Sequence, residues 1–212
     1  MASARSQVRL YSGETSYRVV IGGLARDLPI VEVAPQMWIA SNAELILGDV
    51  EFLTKASKIL AGRIRKARVD VVVTAEAKSI ALAFGLSKEL GHTRFLVARK
   101  SLKSYMSERL TQPVRSITTS SEQVLILTQQ DAAYIRGKRV CVLDDVVSTG
   151  GTLKALEALV KKAGGIVECR AALWREGPWY RDKRLVSVST LPVFVGSSHP
   201  LASGLPRRDE RR

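Results

Sequence analysis

The hydrophobic positions change rhythm along the chain. Tyr17-Arg-Val-Val-Ile21 reads as a short strand ended by Gly22-Gly23, and Leu28-Pro-Ile-Val-Glu-Val33 as a second. Residues 50–66 carry Val50, Leu53, Leu60 and Ile64 among Lys and Arg, the spacing of one helix face. From there strands and helices alternate. Val69 to Thr74 is a β-branched run suited to a strand buried on both faces. Residues 76–90 place Ile80, Leu82, Ala83 and Leu86 along a helix that stops at Gly91, and Arg94 to Ala98 is the next strand. Gln123 to Leu127 and Arg139 to Leu143 are further strands. Leu153 to Ala163 is a helix stopped by Gly164-Gly165, and Ile166 to Leu173 a strand after it. The alternation predicts an α/β fold with a mainly parallel, twisted sheet flanked by helices.

Two regions break the rhythm. Residues 99–122 are polar and basic, contain Pro113, and are too long for an ordinary connection, so they are either functional or disordered. The two ends, residues 1–16 and 204–212, are polar and expected to be disordered flanks of a single domain spanning 1–212. No internal repeat is present.

Length and composition narrow the class. The 212 residues suit one α/β domain, and 46% hydrophobic with 25% charged residues is ordinary for a globular chain. A net charge of +13 is not ordinary and suits an anionic partner: nucleic acid, an anionic surface or an anionic substrate. Solvated basic surfaces are common too, so charge alone decides nothing. Cys141 and Cys169 each sit in an apolar run and read as reduced core residues of a cytoplasmic protein. His92 and His199 lie in turn-like contexts and belong to no metal-ligand cluster. No apolar run approaches a membrane span, and the first residues lack the apolar core of a signal peptide.

One segment carries chemistry. Val140-Cys-Val-Leu-Asp144-Asp145-Val146-Val147-Ser148-Thr149-Gly150-Gly151-Thr152 is a strand, two carboxylates, a hydroxyl- and glycine-rich loop and a helix start. Glycines let the backbone approach an anion, and free N–H groups with the helix dipole favour its charge. Two carboxylates beside a phosphate cradle repel the phosphate itself. They make sense if they hold hydroxyls, or a hydrated Mg²⁺, a short distance away. A strand end followed by a helix cap is the plain alternative, and either half alone is weak. No Walker Gly-Lys-Ser/Thr follows, and no dinucleotide Gly-x-Gly-x-x-Gly is present.

Val140 to Thr152 resembles the phosphoribosyl pyrophosphate signature of type I phosphoribosyltransferases. Val73-Thr74-Ala75-Glu76-Ala77-Lys78-Ser79-Ile80 resembles the pyrophosphate loop of the adenine and xanthine branch, and Phe95 to Ser101 the start of its mobile loop. The resemblance covers roughly residues 50–175. It implies the type I fold with a small hood built from N- and C-terminal segments. It implies Asp144 and Asp145 on the ribose hydroxyls and Val146 to Thr152 around the 5′-phosphate. Ala75, Glu76, Ala77, Lys78 and Ser79 would line the pyrophosphate loop, with a non-proline cis peptide and strain near Ala75-Glu76. The basic stretch 94–115, with Arg94, Arg99, Lys100, Lys103, Arg109 and Arg115 against Glu108, would be a lid; a solvated loop is its rival. Lys100 and Lys103 are its expected catalytic cations, and Arg99 and Tyr105 further substrate contacts. Mg²⁺ is implied, held mainly by the substrate, and a homodimer.

The base pocket is less defined. Trp38, Trp174 and Trp179 can each stack on a purine or fill the core; Trp174, after the last strong strand, ranks first. Leu191-Pro-Val-Phe194 resembles a closing strand of the adenine branch, and Glu176 is a potential acceptor for an exocyclic amine. The implied activity is transfer of phosphoribosyl to a purine, adenine first and xanthine or guanine second. Two rivals remain: a regulator that senses the same sugar phosphate while binding RNA or DNA, and a generic domain for another phosphorylated ligand.

Overall fold

The computed structural model describes residues 7–101, 109–114, 123–203 and 205. The chain opens with β1 (Val8–Leu10), β2 (Ser16–Ile21), β3 (Leu24–Ala34) and β4 (Met37–Ala40), then α1 (Ala43–Gly48) and α2 (Val50–Ile64). Next come β5 (Val71–Ala75), α3 (Ile80–Glu89), β6 (Leu96–Ala98), β7 (Arg109–Val114), β8 (Gln123–Thr128) and α4 (Gln129–Ile135). β9 (Arg139–Val147), α5 (Gly151–Lys162), β10 (Ile166–Glu176), β11 (Leu185–Leu191) and β12 (Val193–Val195) complete it.

Five strands in the order β11-β10-β9-β5-β6 form an all-parallel sheet. Such a sheet must be covered on both sides, which explains the near-continuous apolar runs. Alternate side chains of β9 divide accordingly. Cys141 and Leu143 join Phe52, Leu60, Leu82 and Leu86 of α2 and α3 in one core; Val140 and Val142 join Leu153, Leu156 and Leu159 of α5 in the other. Gly85 lets α3 approach α2, since a β-carbon there would strike the Ser57 hydroxyl. Asp49 starts α2 by accepting from the Phe52 amide at 2.9 Å, and Arg26 of β3 fixes that cap at 2.6 Å.

A second five-stranded sheet, β1-β12-β4-β3-β2, is the hood expected from the two chain ends. The end of the chain reaches it by leaving the parallel sheet at Leu191 and resuming at Val193 as β12. Here the expectation of a disordered start fails at β1; residues 1–6 lie outside the described residues. Val8–Leu10 pairs in parallel with Val193–Val195, because Val8, Val193 and Val195 bury one another. The assignment of 204–212 falls outside the described residues except at Leu205, which packs against that cluster. β7 and β8 form an antiparallel pair, so part of the stretch 99–122 is strand. Arg94 belongs to no lid: it pairs with Asp131 of α4 at 2.7 Å and lies over Tyr134. Cys141 and Cys169 are buried, free and face each other across β9 and β10, and burial pushes the Cys141 thiol up. Among the described residues no helix is long and apolar enough to cross a membrane.

Candidate active site

Parallel strands bring their carboxyl ends to one edge, and the loops that follow β5, β9 and β10 meet there. Thr74 ties two of them together by donating to the Leu143 carbonyl at 2.9 Å.

Asp144 and Asp145 lie near the carboxyl end of β9, followed by Val146 and Val147. Ser79, 2% exposed, comes from the loop after β5 and reaches both carboxylates at 3.3 Å. Its single proton serves one carboxylate at a time. Asp144 also accepts from the Asp145 amide at 2.9 Å. Asp145 is buried, pairs with the Lys78 ammonium at 3.1 Å and lies 3.5 Å from the Asn42 amide nitrogen. Two adjacent carboxylates with one ammonium are short of positive charge. Burial, and then the charge of Asp145, raise the Asp144 carboxyl to about 8. The free site therefore holds a proton at neutral pH that hydroxyl donors or a cation can displace.

Ser148 and Thr149 are half-buried, and Gly150 turns the chain with φ +80° into α5. A β-carbon at Gly150 would also run into the Tyr180 ring, so glycine is required twice over. No side chain caps α5 and its first turn carries no acid, so the amides of its first turn remain for an anion. Across the groove, the loop after β5 carries a cis peptide at Glu76–Ala77, one residue beyond the place expected. The Glu76 amide donates to the Ala98 carbonyl at 2.9 Å. Its carboxylate accepts from the Lys100 amide at 2.8 Å and forms an ion pair with Arg99 Nε at 3.3 Å. Ala77 and Lys78 are exposed at the rim.

The structure thus gathers Asp144, Asp145, Lys78 and Ser79 into one contact group, with the loop Ser148–Thr152 beyond. Arg99 and Lys100 lie at its side, tethered by Glu76. Lys103 and Tyr105 lie outside the described residues. Trp174 is corrected: at 1% exposure it stacks on Phe52 with centroids 6.2 Å apart, a core residue with no free face. Strand alternation aims it between sheet and α2. Trp38 stacks on Tyr11 in the hood, and Trp179 is 37% exposed over Gly177. Asn42 and Tyr180 were missed, since a lone Asn before a helix and a Tyr in a polar loop carry no local signal. Among the described residues no three His, Cys, Asp or Glu side chains cluster as a metal cage.

Residues 46–197 match the family described as phosphoribosyl transferase domain. The chain belongs to that family. Within it, adenine phosphoribosyltransferase of Thermotoga neapolitana is 36% identical over 127 residues, covering 59% of this chain and 71% of that one. The purine biosynthesis transcriptional activator PurR of Lactococcus lactis is 28% identical over 141 residues, 66% of this chain. The chain spans only 50% of that activator's length. The solved adenine phosphoribosyltransferase of Rhodothermus marinus superposes with a TM-score of 0.57 at 22% identity, over 83% of this chain and 94% of that one. The type I fold expected from the sequence is the fold observed.

Proposed function

We propose that the protein transfers the phosphoribosyl group of phosphoribosyl pyrophosphate to a purine, adenine first and xanthine or guanine second, releasing pyrophosphate. The carrying observation is the carboxylate pair Asp144–Asp145, set between an uncapped helix start and the Lys78–Ser79 loop. A 5′-phosphate fits the amides of Ser148 to Thr152, with Val146 and Val147 forming the cradle's base. The ribose diol donates to Asp144 and Asp145. The pyrophosphate lies along Ala75 to Ser79, with Arg99 and Lys100 at its side; Lys103 and Tyr105, outside the described residues, are assigned to it by the family resemblance alone. The bond from C1 to pyrophosphate oxygen breaks, a bond from C1 to the base nitrogen forms, and the base gives up that nitrogen's proton. The chain's part is positioning and electrostatic stabilisation of the departing charge.

Two carboxylates and a hydroxyl fit a hydrated Mg²⁺ whose remaining ligands come from the substrate. When bound, that ion would neutralise the pyrophosphate. The same reading has the protein working as a cytoplasmic homodimer of single-domain chains. A screen with phosphoribosyl pyrophosphate, Mg²⁺ and a panel of bases tests it: adenine consumption with stoichiometric pyrophosphate is expected. Consumption of none of adenine, guanine, hypoxanthine, xanthine, uracil or orotate would refute it. The resemblance to PurR and the charge of +13 favour one second reading, a sugar-phosphate sensor that binds RNA or DNA. Nucleic-acid binding that weakens steeply with salt and responds to phosphoribosyl pyrophosphate would mark it; no binding at low salt would remove it.

A further inference from the structure

Gripping a sugar phosphate leaves Glu176 without a task. The residue ends β10, where Arg175 stands beside Val147 and the next position comes level with Ser148. It is 7% exposed. The Lys78 charge and the Ser148 hydroxyl favour its ionised form, and the charge of Asp145 opposes it. Strand alternation puts it on the same side as Trp174, the side packed by α2 and the hood, away from α5. The turn beyond it is fixed: the Gly177 amide donates to the Leu191 carbonyl at 3.2 Å, and Gly177, at φ +62°, lies under Trp179. The carboxyl is therefore held between the phosphate loop and the hood.

A third carboxyl is a liability in a site for a polyanion. Lys78 is the cation that reaches it, and that ammonium is already paired with Asp145. Neither phosphate group can be its partner, and the diol is taken by Asp144 and Asp145. What remains of the two substrates is the base. Burial raises the carboxyl to about 7, against the lowering effect of Lys78 and Ser148, so its protonated form is present at neutral pH. A protonated carboxyl offers a donor beside an acceptor. Adenine presents the complement, the acceptor N7 beside the donor N6 amine; 6-oxo purines present two acceptors, N7 and O6.

We infer that Glu176 is the base-selecting residue, its carboxyl accepting from the exocyclic amine of adenine and donating to the neighbouring ring nitrogen. This rests on the transferase reading above. The side chain selects by leaving a 6-oxo base with an unpaired acceptor, a discrimination that apolar contact does not provide.

The test compares Glu176→Gln and Glu176→Ala in the full chain. Gln keeps a donor beside an acceptor; Ala keeps neither. Initial rates with adenine and hypoxanthine, and calorimetric binding of phosphoribosyl pyrophosphate with Mg²⁺, are the readouts. Ala is expected to raise KM for adenine at least tenfold and to shrink the adenine-over-hypoxanthine preference in kcat/KM by a similar factor. Gln is expected to restore both to within a few-fold of the parent, with Kd for phosphoribosyl pyrophosphate unchanged in each. An unchanged adenine KM in the Ala variant overturns the inference. So does a loss confined to phosphoribosyl pyrophosphate affinity, which would make Glu176 merely a partner of Lys78. Failure of the parent protein to bind phosphoribosyl pyrophosphate would instead remove the transferase reading.

Discussion

Asp144, a binding residue in the transferase reading, is held in the fold at a cost to stability at high pH. Its carboxyl titrates near 8 in the folded chain against an ordinary 3.8, because it is buried beside Asp145. The unfolded chain releases this proton as pH passes 4, while the folded chain keeps it until about 8. Rising pH across that window therefore destabilises the fold through this group, and the loss saturates above the window. Asp144→Asn removes the penalty along with the diol acceptor. The variant should melt higher than the parent at pH 9, with the gap closing toward pH 4, while binding of phosphoribosyl pyrophosphate is lost. A gap independent of pH would show that Asp144 is not held protonated. Gly150 gives a second residue-scale test. An L-residue in left-handed backbone costs about 1–2 kcal/mol, before the collision with Tyr180. Gly150→Ala should lower thermal stability and weaken sugar-phosphate binding at least tenfold. Adding Tyr180→Ala should recover part of the binding; no recovery would mean that backbone torsion alone is responsible.

At the scale of elements, the loop after β5 is held to the end of β6 by the Glu76 amide on the Ala98 carbonyl and by the Glu76 side chain. Glu76 accepts from the Lys100 amide and pairs with Arg99, both partly exposed. Exposed ion pairs contribute about 0–1 kcal/mol, so Glu76→Ala should leave global stability nearly unchanged. Hydrogen exchange at the Lys100 amide should accelerate sharply in the same variant, and unchanged exchange would show that the backbone is held by other means. Elements of this kind were legible in the sequence because their signals are local. Val71–Ala75 is a β-branched run, and Asp144 to Thr152 joins carboxylates, hydroxyls and glycines within nine residues. Trp174 was misread for a related reason. The pattern placed it at a strand end, but which face the indole took depends on Phe52, more than a hundred residues earlier.

At the scale of the molecule, what the sequence concealed is what the two chain ends build together. Val8 looks like part of a polar flank until Val193 is beside it, and neither position carries a signal about the other. The hood closes through that pairing, through the Tyr11 amide to the Val195 carbonyl at 2.9 Å, and through the Tyr11–Trp38 stack at 4.1 Å. In the transferase reading the phosphate and diol contacts among the described residues belong to the parallel sheet and its loops, and the base would lie between that sheet and the hood. Asn42, in the link from β4 to α1, lies 3.5 Å from the Asp145 carboxylate and joins the hood side to the sheet. Deleting residues 1–11 exposes the edge of β12 with its buried Val193 and Val195, which lowers the melting temperature and favours association between chains. It leaves both phosphate grips in place. Calorimetry on the shortened chain should therefore show weakened adenine binding with near-parental affinity for phosphoribosyl pyrophosphate. Equal loss of both ligands would mean that hood and sheet fold as one inseparable unit, so that the division of labour between them fails.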